Sequence, residues 1–95
     1  MPVRMSQKIR EKLLAKAPPV TDDEVFQCFA NRTYGDLEDT RPSNITDTPT
    51  LWFISNTDAG RLLKIVYIDD GTTCWLKTAY EPNAEEVRIY GKYAP

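Results

Sequence analysis

Residues Gly60 to Tyr90, which read GRLLKIVYIDDGTTCWLKTAYEPNAEEVRIY, carry the strongest structural signal in this chain. Residues 61–68 and 72–80 are rich in the β-branched and aromatic residues that favour strands. Between them lies Asp70-Gly71, a dipeptide typical of a tight hairpin turn with two central residues. The pattern therefore predicts two antiparallel strands joined by a short turn.

A C-terminal helix is predicted directly after this hairpin. Pro82 has no N–H to donate to a sheet ladder, so it ends the second strand. Asn83 is a favourable helix N-cap, and Glu86 stands three residues later, where its carboxylate can reach back to the cap. We expect this helix to run to about Tyr93.

Two helices and one further strand are predicted upstream. Ser6 can cap a first helix that runs to about Ala17, before a Pro-Pro pair. Thr-x-x-Glu at 21–24 is a capping box for a second helix over about 22–31. TLWFISNT, at 50–57, has the composition of a strand. The predicted fold is α+β: two N-terminal helices packed on a three- to four-stranded antiparallel sheet, with a C-terminal helix.

Length and composition predict one domain without a histidine-based site. The chain has 95 residues, enough for a single domain over 1–95. A net charge of −2 excludes a global basic field, and the absence of histidine removes the commonest general base and metal ligand. Cys28 and Cys74 are isolated and no signal peptide is evident, which indicates the cytoplasm. No phosphate-loop or zinc spacing occurs, so no cofactor or metal is expected.

The segment 32–49 is polar and allows two interpretations. It can contain an edge strand near Leu37, or it can be a mobile loop, because so long a stretch without structure is usually a loop with its own role. Three of its acidic residues lie close to Arg41: Asp36, Glu38 and Asp39. This group is either a solvated loop or a contact for a basic partner.

The short turn predicts a register that brings two lysines together. With Asp70 and Gly71 as the central turn residues, Lys64 lies directly opposite Lys77. Like charges in that position cost up to about 1 kcal/mol, so the pair suggests a binding role. A turn with more residues would separate the lysines. The same register predicts a core face made of Leu51, Phe53, Leu63, Ile65, Tyr67, Cys74 and Leu76.

The opposite face of the predicted sheet combines these lysines with Trp52 and Trp75. If the helices leave this face open, the lysines can contact phosphates while the indole rings stack on bases. If the C-terminal helix covers it, the tryptophans are ordinary core residues and the lysine stems lie over their rings.

The C-terminal helix offers a second candidate cluster. Arg88 and Lys92 lie four residues apart, so they share one side of the helix, with Tyr90 and Tyr93 nearby. Cations beside a tyrosine can stabilise charge on a phosphate without a metal. Alternatively, Tyr90 packs inward with its apolar neighbours, and the cations are solvated.

The order of these elements resembles the BrnT toxins, a branch of the RelE-like ribonuclease toxins of bacterial toxin–antitoxin pairs. The likeness is carried by several short motifs in order: VTDDEVFQCF at 20–29, Asp39 to Arg41, Trp52-Phe53-Ile54, GRLLKIVY at 60–67, and Thr78-Ala79 with Pro82, Glu86 and Tyr90. The family pattern has an arginine where this chain has Tyr80. The likeness implies a RelE-like fold, a small antitoxin partner and metal-independent RNA cleavage by basic and tyrosine residues.

On this likeness, five residues are the candidates for contacting or stabilising the scissile RNA phosphate: Arg61, Lys64, Lys77, Arg88 and Tyr90. The alternative is a non-catalytic protein-interaction module of the same fold. Its contact surface would be the face that carries Trp52 and Trp75, and it would bind a partner protein or form a homodimer. The aspartate constellation of ADP-ribosyl-dinitrogen reductase hydrolases is absent from the sequence, so that activity is not expected.

Overall fold

Three helices and five strands are present in the computed structural model, which describes residues 2–39 and 49–95. In chain order they are β1 (Val3–Arg4), α1 (Gln7–Leu14), α2 (Asp22–Ala30), β2 (Leu37–Glu38), β3 (Thr50–Asn56), β4 (Leu62–Asp69), β5 (Cys74–Tyr80) and α3 (Ala84–Tyr93). The α+β class and the C-terminal helix are confirmed.

The sheet is mixed, with the strand order β1-β5-β4-β3-β2 in the described residues. The strands β2 to β5 pair antiparallel, as predicted, but β1 runs parallel to β5, with Val3 opposite Cys74. The Cys74 N–H donates to the Pro2 carbonyl at 2.9 Å, which fixes this pairing. The prediction of a purely antiparallel sheet of three or four strands was therefore wrong, because a strand of two residues has no pattern to detect.

The predicted helix caps are present. Ser6 accepts a hydrogen bond from the Ile9 N–H, and both capping boxes, at 21–24 and 83–86, are closed reciprocally. However, α1 ends at Leu14 rather than near Ala17. The Leu13 carbonyl accepts from the Val20 N–H at 3.0 Å, so the chain already turns back towards α2 at this point.

The core lies between the sheet and α2 and follows the predicted face. Phe53 and Ile65 are fully buried, and Phe29 of α2 packs edge-on against Phe53 and Tyr67, with ring centroids 4.9 and 5.2 Å apart. Leu63, Tyr67, Cys74 and Leu76 are also buried, and Leu51 is half-buried. On the other side of α2, Arg10 of α1 pairs with Asp22 at 2.8 Å.

The hairpin between β4 and β5 differs from its predicted form. Asp69 pairs with Cys74, so four residues, 70–73, form the connection instead of two. The Asp70 carboxylate holds this longer turn, because Oδ1 accepts from the Thr72 and Thr73 N–H groups at 2.9 and 2.7 Å. Asx hydrogen bonding of this kind competes with the tight turn that Asp-Gly favours.

A β-bulge between these strands moves the register further. Val66 pairs with Thr78 and Tyr67 with Leu76, which leaves Lys77 as the extra residue of β5. Lys64 therefore lies opposite Tyr80 and not opposite Lys77. The predicted lysine pair was wrong, and the alternative of a longer turn is the one observed.

The helix α3 covers part of the face opposite α2. Tyr90 packs on Trp52 with ring centroids 5.7 Å apart, and Trp52 is buried. Of the two alternatives for this face, coverage by the C-terminal helix is the one observed for Trp52, while Trp75 is 42% exposed. The predicted edge strand near Leu37 is present as β2, and the rest of the loop prediction, residues 40–48 with Arg41, lies outside the described residues.

Candidate functional site

The five candidate phosphate-binding residues do not converge on one place. Arg61 lies at the start of β4 and faces the link between α1 and α2. Lys64 lies under α3, and Lys77 lies at the bulge of β5. The remaining two are on α3, where Arg88 is exposed and Tyr90 is buried.

Arg61 is a structural tie between three segments. Its guanidinium donates to the Pro19 and Pro18 carbonyls at 2.7 and 3.1 Å, which holds the link between α1 and α2. It also forms ion pairs with Glu24 of α2 at 3.2 Å and with Glu81 at 3.0 Å. Burial lowers the pKa of Arg61, but hydrogen bonds to these carboxylates raise the pKa above its usual value. The donors of the Arg61 guanidinium group are therefore already occupied on both sides.

Lys64 belongs to a partly buried cluster with Glu86 and Tyr80. The Lys64 Nζ lies 2.7 Å from Glu86 Oε2, and the Tyr80 hydroxyl donates to the same oxygen at 2.6 Å. The Lys64 ammonium also lies over the Trp52 ring, 4.4 Å from its centroid. The Lys64 side chain is 11% exposed and that of Glu86 17% exposed. These contacts dock the first turn of α3 on the sheet.

The electrostatics of this cluster do not suit proton transfer. Burial raises the pKa of Glu86, but hydrogen bonds from Lys64, Tyr80 and the Asn83 N–H outweigh it and lower the pKa below its usual value. Burial and the bond to Glu86 raise the pKa of Tyr80. A carboxylate of lowered pKa is a weak general base, and a tyrosine of raised pKa is a weak acid. The cluster is therefore suited to holding charge in place.

Lys77 differs from the other candidate cations. Within residues 2–39 and 49–95 its side chain forms no ion pair or hydrogen bond. It lines a cavity of about 180 Å³ together with Lys64, Tyr80, Thr50 and the acidic Asp39. The two lysines therefore line one cavity, although they do not pair directly across the strands.

The two candidates on α3 also have partners. Arg88 pairs with Glu85 one turn away, and both side chains are exposed. The Tyr90 hydroxyl donates to the Gly35 carbonyl at 2.8 Å, and burial raises the pKa of Tyr90. Tyr90 therefore connects α3 to the segment before β2.

Glu86 and Tyr80 are the site residues that sequence reasoning missed. Glu86 was assigned a role in the capping box and a place in the family motif, but no contact with Lys64; its Oε1 does accept from the Asn83 N–H at 3.0 Å. Its second carboxylate oxygen binds Lys64 and Tyr80. The correct register, in which Lys64 lies opposite Tyr80, would have indicated that these two side chains lie together. Tyr80 was noted only as the residue that replaces an arginine.

The thiols and acidic groups offer no further chemistry. Burial raises the pKa of Cys28 to about 11 and also raises that of Cys74, so neither is a reactive thiolate at neutral pH. Among the described residues, no group of three or more histidine, cysteine, aspartate or glutamate side chains is placed to hold a metal ion. In the same part of the chain, no helix has the length and hydrophobicity that crossing a bilayer requires.

A partly exposed aromatic surface lies on the β1 side of the sheet. Phe26 and Trp75 are 43% and 42% exposed, and both line a cavity of about 270 Å³ with Val3, Met5 and two cationic residues, Arg4 and Arg10. The Trp75 Nε1 donates to Asp70 Oδ2 at 2.9 Å, so this indole is held by the turn. We refer to Val3, Met5, Phe26 and Trp75 as the β1-side surface.

Comparison with known proteins gave no match: no family model, no curated protein and no solved structure is similar to this chain. The resemblance to the BrnT toxins therefore stays a prediction from the sequence motifs.

Proposed function

We propose that the protein is a non-catalytic protein-interaction module. The observation that carries this proposal is the pairing of the candidate cations: Arg61, Lys64 and Arg88 each have a carboxylate within ion-pair distance. A paired cation offers little net charge to an incoming phosphate, and breaking the partly buried pairs of Arg61 and Lys64 costs free energy. The overall net charge of −2 supports the same conclusion.

The β1-side surface is the proposed contact. Trp75 is exposed but already held in one orientation by Asp70, so binding would cost little side-chain entropy. Tryptophan is also among the residues most enriched at the energetic centres of protein interfaces. We propose that a second copy of the chain or a small antitoxin-type partner binds here, in the cytoplasm.

Light scattering on the purified chain tests self-association through this surface. We expect a concentration-dependent dimer that is lost in Trp75→Ser. The matched control is Tyr93→Ser, because Tyr93 is 59% exposed on α3, away from the β1-side surface. A dimer that persists in Trp75→Ser would contradict the assignment of the surface. If the native chain is a monomer, the surface does not bind a second copy, and only a different protein can be its partner.

A second proposal keeps the function that the sequence motifs imply. In it the chain has a RelE-like fold and is a BrnT-like, metal-independent endoribonuclease that a small antitoxin inhibits. The specific observation in its favour is the cavity shared by Lys64, Lys77 and Tyr80, in which Lys77 has no ion pair among the described residues. Arg61, Arg88 and Tyr90 would then act only after leaving their present partners.

Incubation of the purified chain with RNA, with and without chelator, separates the two proposals. The interaction module predicts no cleavage in either condition. Cleavage that survives chelation and is lost in Lys77→Ala, but not in the exposed control Lys8→Ala, would favour the nuclease. Cleavage retained after Lys64→Ala, Lys77→Ala and Arg88→Ala together would contradict the predicted site residues.

A further inference from the structure

Positive charge is concentrated in the segment that borders the β1-side surface. Residues 1–16 hold five cationic side chains and one acidic side chain, although the whole chain has a net charge of −2. These cations are Arg4, Lys8, Arg10, Lys12 and Lys16. Two of them, Arg4 and Arg10, line the same cavity of about 270 Å³ as Phe26 and Trp75. The proposed contact surface therefore combines aromatic side chains with a local excess of positive charge.

Three of these cations have no partner in the part of the chain that the structure describes. The side chains of Arg4, Lys8 and Lys12 are exposed there and form no ion pair or hydrogen bond. Arg10, in contrast, donates from Nε to Asp22 Oδ2 at 2.8 Å. Three cations of the predicted phosphate-binding set are likewise each paired with a carboxylate. Arg4 is therefore the cation at the cavity whose charge is available to a partner.

Arg4 and Trp75 are neighbours in the sheet. The strand β1 pairs parallel with β5, with Arg4 opposite Trp75, so the two side chains project from the same face. Adjacent strands lie about 4.8 Å apart, so one short segment of a partner can reach both side chains. Arginine and tryptophan are also the residue types most enriched at the energetic centres of interfaces.

The carboxylates that contact residues of the cavity wall are engaged in other bonds. Asp22 is bound by Arg10. Asp70 Oδ1 accepts from the N–H groups of residues 72 and 73, and Oδ2 accepts from Trp75 Nε1 at 2.9 Å. Neither carboxylate forms an ion pair with Arg4. An incoming carboxylate therefore meets an unpaired guanidinium group beside an indole that is already held in place.

We propose that the partner of the β1-side surface is an acidic protein segment with an aromatic or aliphatic side chain between its carboxylates. The apolar side chain enters the cavity that Phe26 and Trp75 line, and a carboxylate binds the Arg4 guanidinium group. Lys8 and Lys12 add a longer-range attraction, which raises the rate of association more than the affinity. This inference rests on the proposed interaction function and names the chemistry of its partner.

A second copy of the chain binds this surface less tightly than such a segment does. A symmetric dimer places the same patch of both copies together, so Arg4 and Arg10 of one copy come close to those of the other. Like charges at an interface weaken association. An acidic partner is therefore expected to displace a second copy from the surface.

Titration of the full chain with an acidic pentapeptide, followed by tryptophan fluorescence, tests this proposal. The peptide has four glutamates around a central phenylalanine, so the signal comes from the protein alone. We expect saturable binding with a dissociation constant of about 1 mM or below. Two control peptides, with glutamines in place of the glutamates or alanine in place of the phenylalanine, bind at least about fivefold more weakly.

Two variants with the same loss of charge show where the peptide binds. Arg4→Gln weakens peptide binding at least about fivefold, whereas Lys12→Gln, on α1 outside the cavity wall, changes it by less than about twofold. Both side chains are exposed, so both variants are expected to fold. Equal weakening in the two variants overturns the proposal, and so does equal binding of the glutamine peptide.

Two further outcomes concern the other possible occupants. An oligouridylate that binds more tightly than the peptide and is lost in Arg4→Gln overturns the proposal, because the occupant is then a nucleic acid. Absence of peptide binding overturns it as well. If light scattering then still shows a dimer that Trp75→Ser abolishes, the interaction module stands and only its acidic partner is wrong.

Discussion

The two faces of the sheet are attached to their helices by different kinds of contact. The face under α2 is joined by aromatic packing among Phe29, Phe53 and Tyr67. The face under α3 also has aromatic packing, of Tyr90 on Trp52, but it adds a partly buried charged cluster. In this cluster Lys64 and Tyr80 bind one oxygen of Glu86. In the sequence, these charged residues resemble a catalytic set. In the structure, they form the polar interface between α3 and the sheet.

The two faces also differ in how completely they are filled. Phe53 and Ile65 are fully buried on the α2 side. On the α3 side a cavity of about 370 Å³ is left beside Gly91. Changes on the first face are therefore expected to alter stability more than changes on the second.

Phe53→Ala should have the largest effect on stability. Removal of this fully buried ring leaves a cavity between α2 and the sheet, so we expect a loss of about 3–5 kcal/mol in the free energy of unfolding. Urea unfolding measures it. Phe26→Ala is the control, because Phe26 is 43% exposed and its loss should cost much less. Equal losses would mean that the aromatic contacts do not hold the α2 face.

Glu86→Ala should come next. It leaves the Lys64 ammonium, which is 11% exposed, without its counter-ion and also opens the capping box, so we expect a loss of about 3 kcal/mol. Glu85→Ala is the matched control on the same turn, and its exposed pair with Arg88 should contribute little. If Glu86→Ala lowers the free energy of unfolding no more than Glu85→Ala does, the charged contacts of Glu86 do not hold α3 on the sheet.

The same carboxylates predict how stability depends on pH. The pKa values of Glu24 and Glu86 are lower in the folded chain than their usual value of 4.5, so the unfolded chain binds protons first as the pH falls. Their stabilisation is complete above pH 4.5 and is lost as the pH falls through the lower folded values.

Urea midpoints measured from neutral pH downward check this dependence. Glu86→Gln should show a shallower decline than the native chain, because one of the carboxylates whose pKa is lowered by folding is gone. Glu85→Gln should change the pH dependence of stability less than Glu86→Gln does, because the Glu85 carboxylate is exposed. Identical pH profiles for the native chain and Glu86→Gln would show that Glu86 is not linked to folding.

Gly91→Ala should have the smallest effect and the opposite sign. The added methyl meets no described atom and removes the helix penalty of glycine, so stability should rise by up to about 1 kcal/mol. Gly71→Ala is the control, because Gly71 has a φ of 95° and a side chain there is strained. Thermal unfolding distinguishes the two, and a destabilised Gly91→Ala would mean that its side chain has no open space.

Local signals predicted most of the elements. Both capping boxes lie where Thr21 and Asn83 indicated, and the alternation along β4 identified the buried Leu63, Ile65 and Tyr67. These features depend on residues close in the sequence, so a pattern can report them. Only the C-terminal end of α1 was missed, because the turn back to Val20 is a contact between residues seven positions apart.

The candidate site could not be predicted because it depends on register. Asp-Gly favours a tight turn, but the Asp70 carboxylate binds the Thr72 and Thr73 N–H groups and lengthens the connection. The longer connection moves the register by two residues and the bulge by one more, so Lys64 lies opposite Tyr80 instead of Lys77. The partner of Lys64 is Glu86, which uses one carboxylate oxygen for the helix cap and the other for Lys64. No local pattern reveals this double role.

The structural role of Lys64 is measured by a double-mutant cycle with Lys64→Met and Glu86→Leu, each alone and together, using free energies of unfolding in urea. We predict a coupling of about 2 kcal/mol, because each single change leaves a partly buried charge that the double change removes. A coupling below about 0.3 kcal/mol would contradict this role, since independent residues give additive effects. Lys64 would then be free to serve the nuclease chemistry that the sequence motifs imply.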